Sequence, residues 1–148
     1  MAYGMAMIPM WASATWLGLV VAAPWLATAS PVASGLVYAA GALLCHQQPE
    51  RSFHLLGAQL PVCARCLGLY AGAALGATVW WLRRRTSPRP LTPGVGALVL
   101  AAAPTAGSVL SATLGLGDPS NAWRALLAVP LGAVGGAVVG AVVSRDLK

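Results

Sequence analysis

All three cysteines and both histidines of this 148-residue chain fall within one 22-residue stretch, CHQQPERSFHLLGAQLPVCARC, as Cys45, His46, His54, Cys63 and Cys66. Thiolate sulfur and imidazole nitrogen are the donors of tetrahedral Cys3His and Cys2His2 sites, for which zinc is the default ion and iron or copper the alternatives. Cys63-Ala64-Arg65-Cys66 is a C-x-x-C placed just before a glycine-bearing apolar run. The free N–H groups and dipole of a helix start favour negative charge, and Arg65 pushes the same way, so both sulfurs are expected to ionise easily. The Cys45-His46 dipeptide faces that motif across 16 intervening residues. Cys45, His46, Cys63 and Cys66 are therefore the expected metal ligands. A C-x-x-C also serves thiol–disulfide exchange, with one sulfur attacking and the other resolving. The plainest alternative is one structural disulfide beside a spare buried thiol.

Around the ligands stand side chains able to orient them by hydrogen bonding: Gln47, Arg51, Ser52, His54, Arg65 and Tyr70, with Asn121 and Arg124 from a later loop. His54 sits in Arg51-Ser52-Phe53-His54-Leu55-Leu56, which reads as a short amphipathic turn resting at an interface, and is a supporting imidazole rather than a ligand. Tyr70 reads as an interfacial aromatic anchor. In the loop Gly117-Asp118-Pro119-Ser120-Asn121, Ser120 or Asn121 suits a helix N-cap. Arg124 beyond it needs a partner or a route to water.

What holds these residues must be a lipid bilayer. The chain is 58% hydrophobic and 8% charged, with a mean hydropathy of +0.74, whereas soluble domains carry about 25% charged residues. Five apolar runs follow one another, at about 10–29, 32–44, 67–82, 94–114 and 122–143. The expected fold class is thus all-α: one transmembrane domain over 1–148, a bundle of about five spans with the Cys/His loop between helices 2 and 3. Pro104 is expected to kink the fourth run. Ala27-Thr28-Ala29 resembles a signal-peptidase site, but no Lys or Arg precedes the run, so the first helix is read as retained. The formal charge of +6 does not describe a nucleic-acid surface, because the basic residues flank the apolar runs. Arg83, Arg84, Arg85, Arg89, Arg145 and Lys148 outweigh Arg51, Arg65 and Arg124, which places the N-terminus outside and the C-terminus in the cytoplasm. The Cys/His segment and the 117–121 loop then share the outer face.

Gly68, Gly72 and Gly76, and again Gly132, Gly136 and Gly140, recur every four residues. Such stripes let helix backbones approach closely in lipid. They are read as packing faces, within the chain or toward a second copy or another membrane protein.

CHQQPERSF, LPVCARCLGLYAG and the later PSNAWR resemble a family of small bacterial polytopic membrane proteins, a predicted membrane domain of unknown function marked by CHQ-x-P-x-R-S and CARC-x-G-x-Y segments. The resemblance covers about 34–139 and matches at Cys45, His46, Gln47, Pro49, Arg51, Ser52, Cys63, Arg65, Cys66, Gly68, Tyr70, Ser120, Asn121 and Arg124. It implies a multi-pass protein of a bacterial cytoplasmic membrane and a shared site at these residues, without naming a reaction. The chain departs from the pattern after Pro104, where Thr105-Ala106-Gly107-Ser108 stands in place of an Asp-Gly and a following Gln. Three functions stay open: a metal-binding membrane protein, a membrane thiol oxidoreductase, and a structural subunit of a larger assembly.

Overall fold

Helix boundaries in this chain are written by serine, proline and glycine. In the computed structural model, which describes residues 7–87 and 93–144, five helices and one hairpin follow in order. Helix α1 covers Ile8–Ala29 and α2 covers Pro31–Leu44. Only Ser30 separates them: its Oγ accepts the Ala33 N–H, and Pro31 opens the next helix with its φ already set. The chain doubles back there, and the Ser34 hydroxyl donates to the buried Ala23 carbonyl at 2.9 Å.

After α2 comes a correction to the all-α expectation. A 3-10 turn at Pro49–Arg51 leads into β1 (Ser52–Leu55) and β2 (Ala58–Cys63), an antiparallel two-stranded sheet. The expected amphipathic turn around His54 is strand β1. Leu56 and Gly57, both at positive φ (52° and 77°), make the two-residue turn that matches strand twist. Strand β2 runs straight into α3 (Ala64–Thr86), and α4 (Val95–Thr113) and α5 (Asn121–Val143) complete the bundle. Pro104 lies inside α4, as expected.

Helices α3 and α5 run parallel, glycine stripe against glycine stripe. A Cβ on Gly68, Gly72 or Gly76 would strike the backbone carbonyls of Ala125, Val129 and Ala133, and one on Gly132 or Gly136 those of Leu69 and Ala73. Contact this close replaces side-chain burial with backbone dispersion, the term that counts in lipid. The stripes are therefore packing faces. They are used on each other within the chain, which removes the expected role of these stripes in binding a partner.

The first two helices depart from the expected alternation. Trp16 meets Tyr70 edge to face, and further along α1 Val20 packs with Cys45 and Val62, so α1 runs antiparallel to α3. The start of α1 therefore lies toward the C-terminal ends of α3 and α5. Helix α2 does not lie beside α3. The Tyr38 hydroxyl donates to the Gln59 carbonyl, Gly41 touches Pro61, and Cys45 reaches Cys63, so α2 runs alongside β2 and in the same direction. Length explains this: 14 residues make a helix of about 21 Å, short of a hydrocarbon core of about 30 Å. Among the described residues, three helices, α1, α4 and α5, are long and apolar enough to cross a membrane. Helix α3 has the length, but its arginines, tryptophans and glycines lower its hydropathy.

At the far end of α3, Arg84 lies 5.4 Å over the Trp80 ring and Arg85 4.2 Å over Trp81. Cations stacked on tryptophans at a helix end match a membrane-interface belt. Arg89, Arg145 and Lys148 of the expected charge bias lie outside the described residues.

Candidate metal centre

Three elements bring the sulfurs together. Cys45 ends α2 in an extended conformation, Cys63 ends β2 as the N-cap of α3, and Cys66 sits in the first turn of α3. Their Sγ atoms all lie within 4.8 Å of one another, with Cys45 buried and the other two half-buried. Three thiolates on one zinc at about 2.3 Å would be about 3.8 Å apart, so the triad needs only side-chain adjustment to close on an ion. The Cys63 N–H donates to Cys45 Sγ at 3.1 Å, a bond that stabilises negative charge on that sulfur.

Cys63 and Cys66 share a hydrogen bond at 3.4 Å. The bond donated by Cys66, and behind it the N–H groups of Cys66 and Arg65 at the open helix end and the Cys45 thiol, lower the Cys63 thiol to about 5 against the burial that opposes it. Two thiolates so close would repel each other. Without a metal, ionisation of one sulfur therefore opposes ionisation of the other, so the expectation that both ionise easily does not hold for the pair at once. A cation among them removes the conflict.

His46 follows Cys45 directly but is not among the mutually close ligand atoms. It is exposed and lines the same cavity as the cysteines. His54 is exposed on β1 opposite Gln59, and it does not line that cavity. Trp16, Leu67 and Tyr70 pack, with Cys63 and Cys66, against the buried cluster of Val20, Cys45 and Val62.

The remaining motif residues hold the frame. Gln47 takes a positive φ of 49° and its Nε2 donates to the carbonyls of Tyr38 and Pro61 at 2.9 and 2.8 Å. One amide thus ties the end of α2 to β2 and fixes Cys45 against Cys63. The Ser52 hydroxyl, fully buried, donates to the Gln48 carbonyl and accepts from Gln59 Nε2. Gln59, which sequence reading passed over, also donates to the Gln47 carbonyl at 2.7 Å. Nothing in its spacing marks it, since it acts as a brace inside a strand that was itself unforeseen.

The later loop joins the same end of the molecule, as expected. Asn121 Nδ2 donates to the Ser52 carbonyl at 3.0 Å and its Oδ1 accepts from Arg124. Arg124 also forms an ion pair with Asp118, and Ser120 caps α5 through the Trp123 N–H. Arg51, Arg65 and Arg124 line one cavity of about 340 Å³ together with the three cysteines and His46.

This geometry coincides with a family signature. The profile of the predicted membrane protein family DUF2085 matches residues 45–139, from the first cysteine to near the end of α5. The chain belongs to this family. An uncharacterised protein of Methanocaldococcus jannaschii is 33% identical over 88 residues, 60% of this chain and 56% of that protein. An uncharacterised protein of Methanothermobacter thermautotrophicus is 53% identical over 30 residues, 20% of this chain and 27% of its own length. The chain thus spans about half or less of the curated relatives it matches. Both of these relatives are archaeal, whereas the resemblance implied a bacterial family. No solved structure matches.

Proposed function

We propose that this DUF2085 chain is a metal-binding membrane protein whose Cys45, Cys63 and Cys66 hold a thiophilic ion, zinc in the first instance and iron or copper otherwise. The observation that carries the reading is the convergence of three sulfurs from separate elements to within 4.8 Å. His46 supplies a fourth ligand by a rotation toward the cavity it already lines. Gln47, Ser52, Gln59 and Asn121 set the spacing of the sulfurs, as supporting hydrogen bonds do in metal sites.

In this reading the chain is one transmembrane unit in a cytoplasmic membrane, with α1, α3, α4 and α5 crossing and α2 an incomplete helix at the site end. The arginines of α3 face the cytoplasm and the metal centre faces outward. The antiparallel course of α1 and α3 supports an N-terminal end on the arginine side.

Elemental analysis of detergent-purified protein tests the proposal. About one metal per chain is expected, lost in Cys45→Ser and reduced in His46→Ala; a metal-free parent chain contradicts it.

A second reading is favoured by the 3.4 Å approach of Cys63 to Cys66 and the easily ionised Cys63. Cys63 thiolate would attack a disulfide, displacing one thiolate, and Cys66 would resolve the mixed disulfide and release the second. The substrate gains the two electrons that the dithiol gives up. A metal-free protein in which Cys63 and Cys66 cycle between thiol and disulfide would establish it in place of the metal.

A further inference from the structure

The cavity beside the sulfurs is more cationic than a metal site requires. Arg51, Arg65 and Arg124 reach it from the 3-10 turn, the first turn of α3 and the first turn of α5, three elements separated in sequence. Arg124 is 6% exposed. Burying a guanidinium at a membrane boundary is costly unless its donors are used. Its two terminal nitrogens are used, on Asn121 and Asp118, but its Nε is buried with no partner among the described residues, and so is the Nε of Arg65. Arg65 also holds a long bond to Ser108, at 3.4 Å.

The charge balance points the same way. Asp118 is the acidic group facing these arginines, and its carboxyl is held below the ordinary range by Arg124 first, with smaller pulls from Arg51 and Arg65. A carboxylate of the chain itself thus already feels all three guanidinium fields. Three arginines and no acidic side chain line a space of about 340 Å³, within the usual size of small-ligand sites, about 300–1,000 Å³. Guanidinium forks match the geometry of oxyanions rather than of halides or neutral ligands.

We infer that the cavity is a binding site for a phosphate-like oxyanion, held by Arg51, Arg65 and Arg124 next to the cysteine triad. The anion is either free in the aqueous phase or the headgroup phosphate of an anionic lipid, and both present the same tetrahedral oxygens to the arginines. The site does not depend on a metal, because its donors are the guanidinium groups.

Two probes separate the sources. Inorganic phosphate is titrated calorimetrically into the full chain in maltoside detergent, as purified and again after chelation. Phosphatidylglycerol retention is counted by native mass spectrometry against a phosphate-free glycolipid. Saturable binding of at least one phosphate probe is expected, surviving chelation and weakened about tenfold or more by Arg51→Gln or Arg65→Gln. Arg51 is exposed, so Arg51→Gln reads the site even where changes at Arg65 disturb the helix. Phosphate binding alone assigns a free anion, and lipid retention alone assigns a headgroup. The inference is overturned if neither probe binds saturably, if binding disappears with the metal, or if binding is unchanged in Arg51→Gln.

Discussion

At the scale of single residues, the site depends on placing one thiolate where a second would be repelled. In chelated protein, Cys63 should alkylate with a midpoint near the value of about 5 that its hydrogen bonds impose, against about 8.5 for an ordinary thiol. Below that pH the sulfur is protonated and slow; a midpoint near 8.5 by mass-spectrometric iodoacetamide labelling would contradict the described hydrogen-bond set. Gln47 makes the second residue-scale prediction. Gln47→Ala removes both amide donations to Tyr38 and Pro61, leaving two carbonyls short of a donor. A loss of about 1–3 kcal/mol is expected in denaturant melts, together with weaker metal retention because Cys45 is no longer tied to β2. The three converging cysteines were legible because thiols announce their chemistry by type. So was the need of Arg124 for a partner, since a cation at a membrane boundary must find one. Gln59 was not legible, because a glutamine brace carries no signature until the strand holding it is known.

The same division holds among the elements. Four-residue glycine spacing foretold close helix packing, and a Cβ placed on Gly72 would strike the Val129 carbonyl. Gly72→Val should therefore push α3 from α5 and lower the thermal midpoint sharply, whereas the same change at Gly35, where a Cβ meets nothing within 4 Å, should have little effect. Equal effects at the two positions would contradict the packing described. The hairpin escaped sequence reading because its signals are weak or contrary. Pro61 interrupts β2, and the turn is Leu-Gly rather than Asn-Gly. Leu56 sits at positive φ, where a side chain branched beyond Cβ costs more than asparagine. Leu56→Asn is expected to stabilise the hairpin by up to about 1 kcal/mol, read as slower amide exchange in β1 and β2; faster exchange would contradict the turn assignment. Helix α2 is apolar enough to read as a span, but its 14 residues keep it out of the three described helices long and apolar enough to cross a membrane.

For the whole molecule, helix direction decides where the site faces. The parallel pair α3–α5 and the antiparallel α1 put the start of α1 and the end of α5 on the side of Arg83, Arg84 and Arg85, opposite the sulfurs. Reporter fusions at the N- and C-terminus should both score as cytoplasmic; an external N-terminus would restore the five-span arrangement and contradict the described course of α1. Charge bias could not settle this from sequence, because it orients the loops without saying which apolar runs cross. The claim on which the functional account rests is that the molecule folds so as to close three sulfurs on one ion. X-ray absorption at the zinc edge of the purified, zinc-loaded protein measures that directly. Three sulfur neighbours at about 2.3 Å with one lighter ligand are predicted, and no bound zinc in Cys45→Ser. A spectrum showing only nitrogen and oxygen neighbours would contradict it.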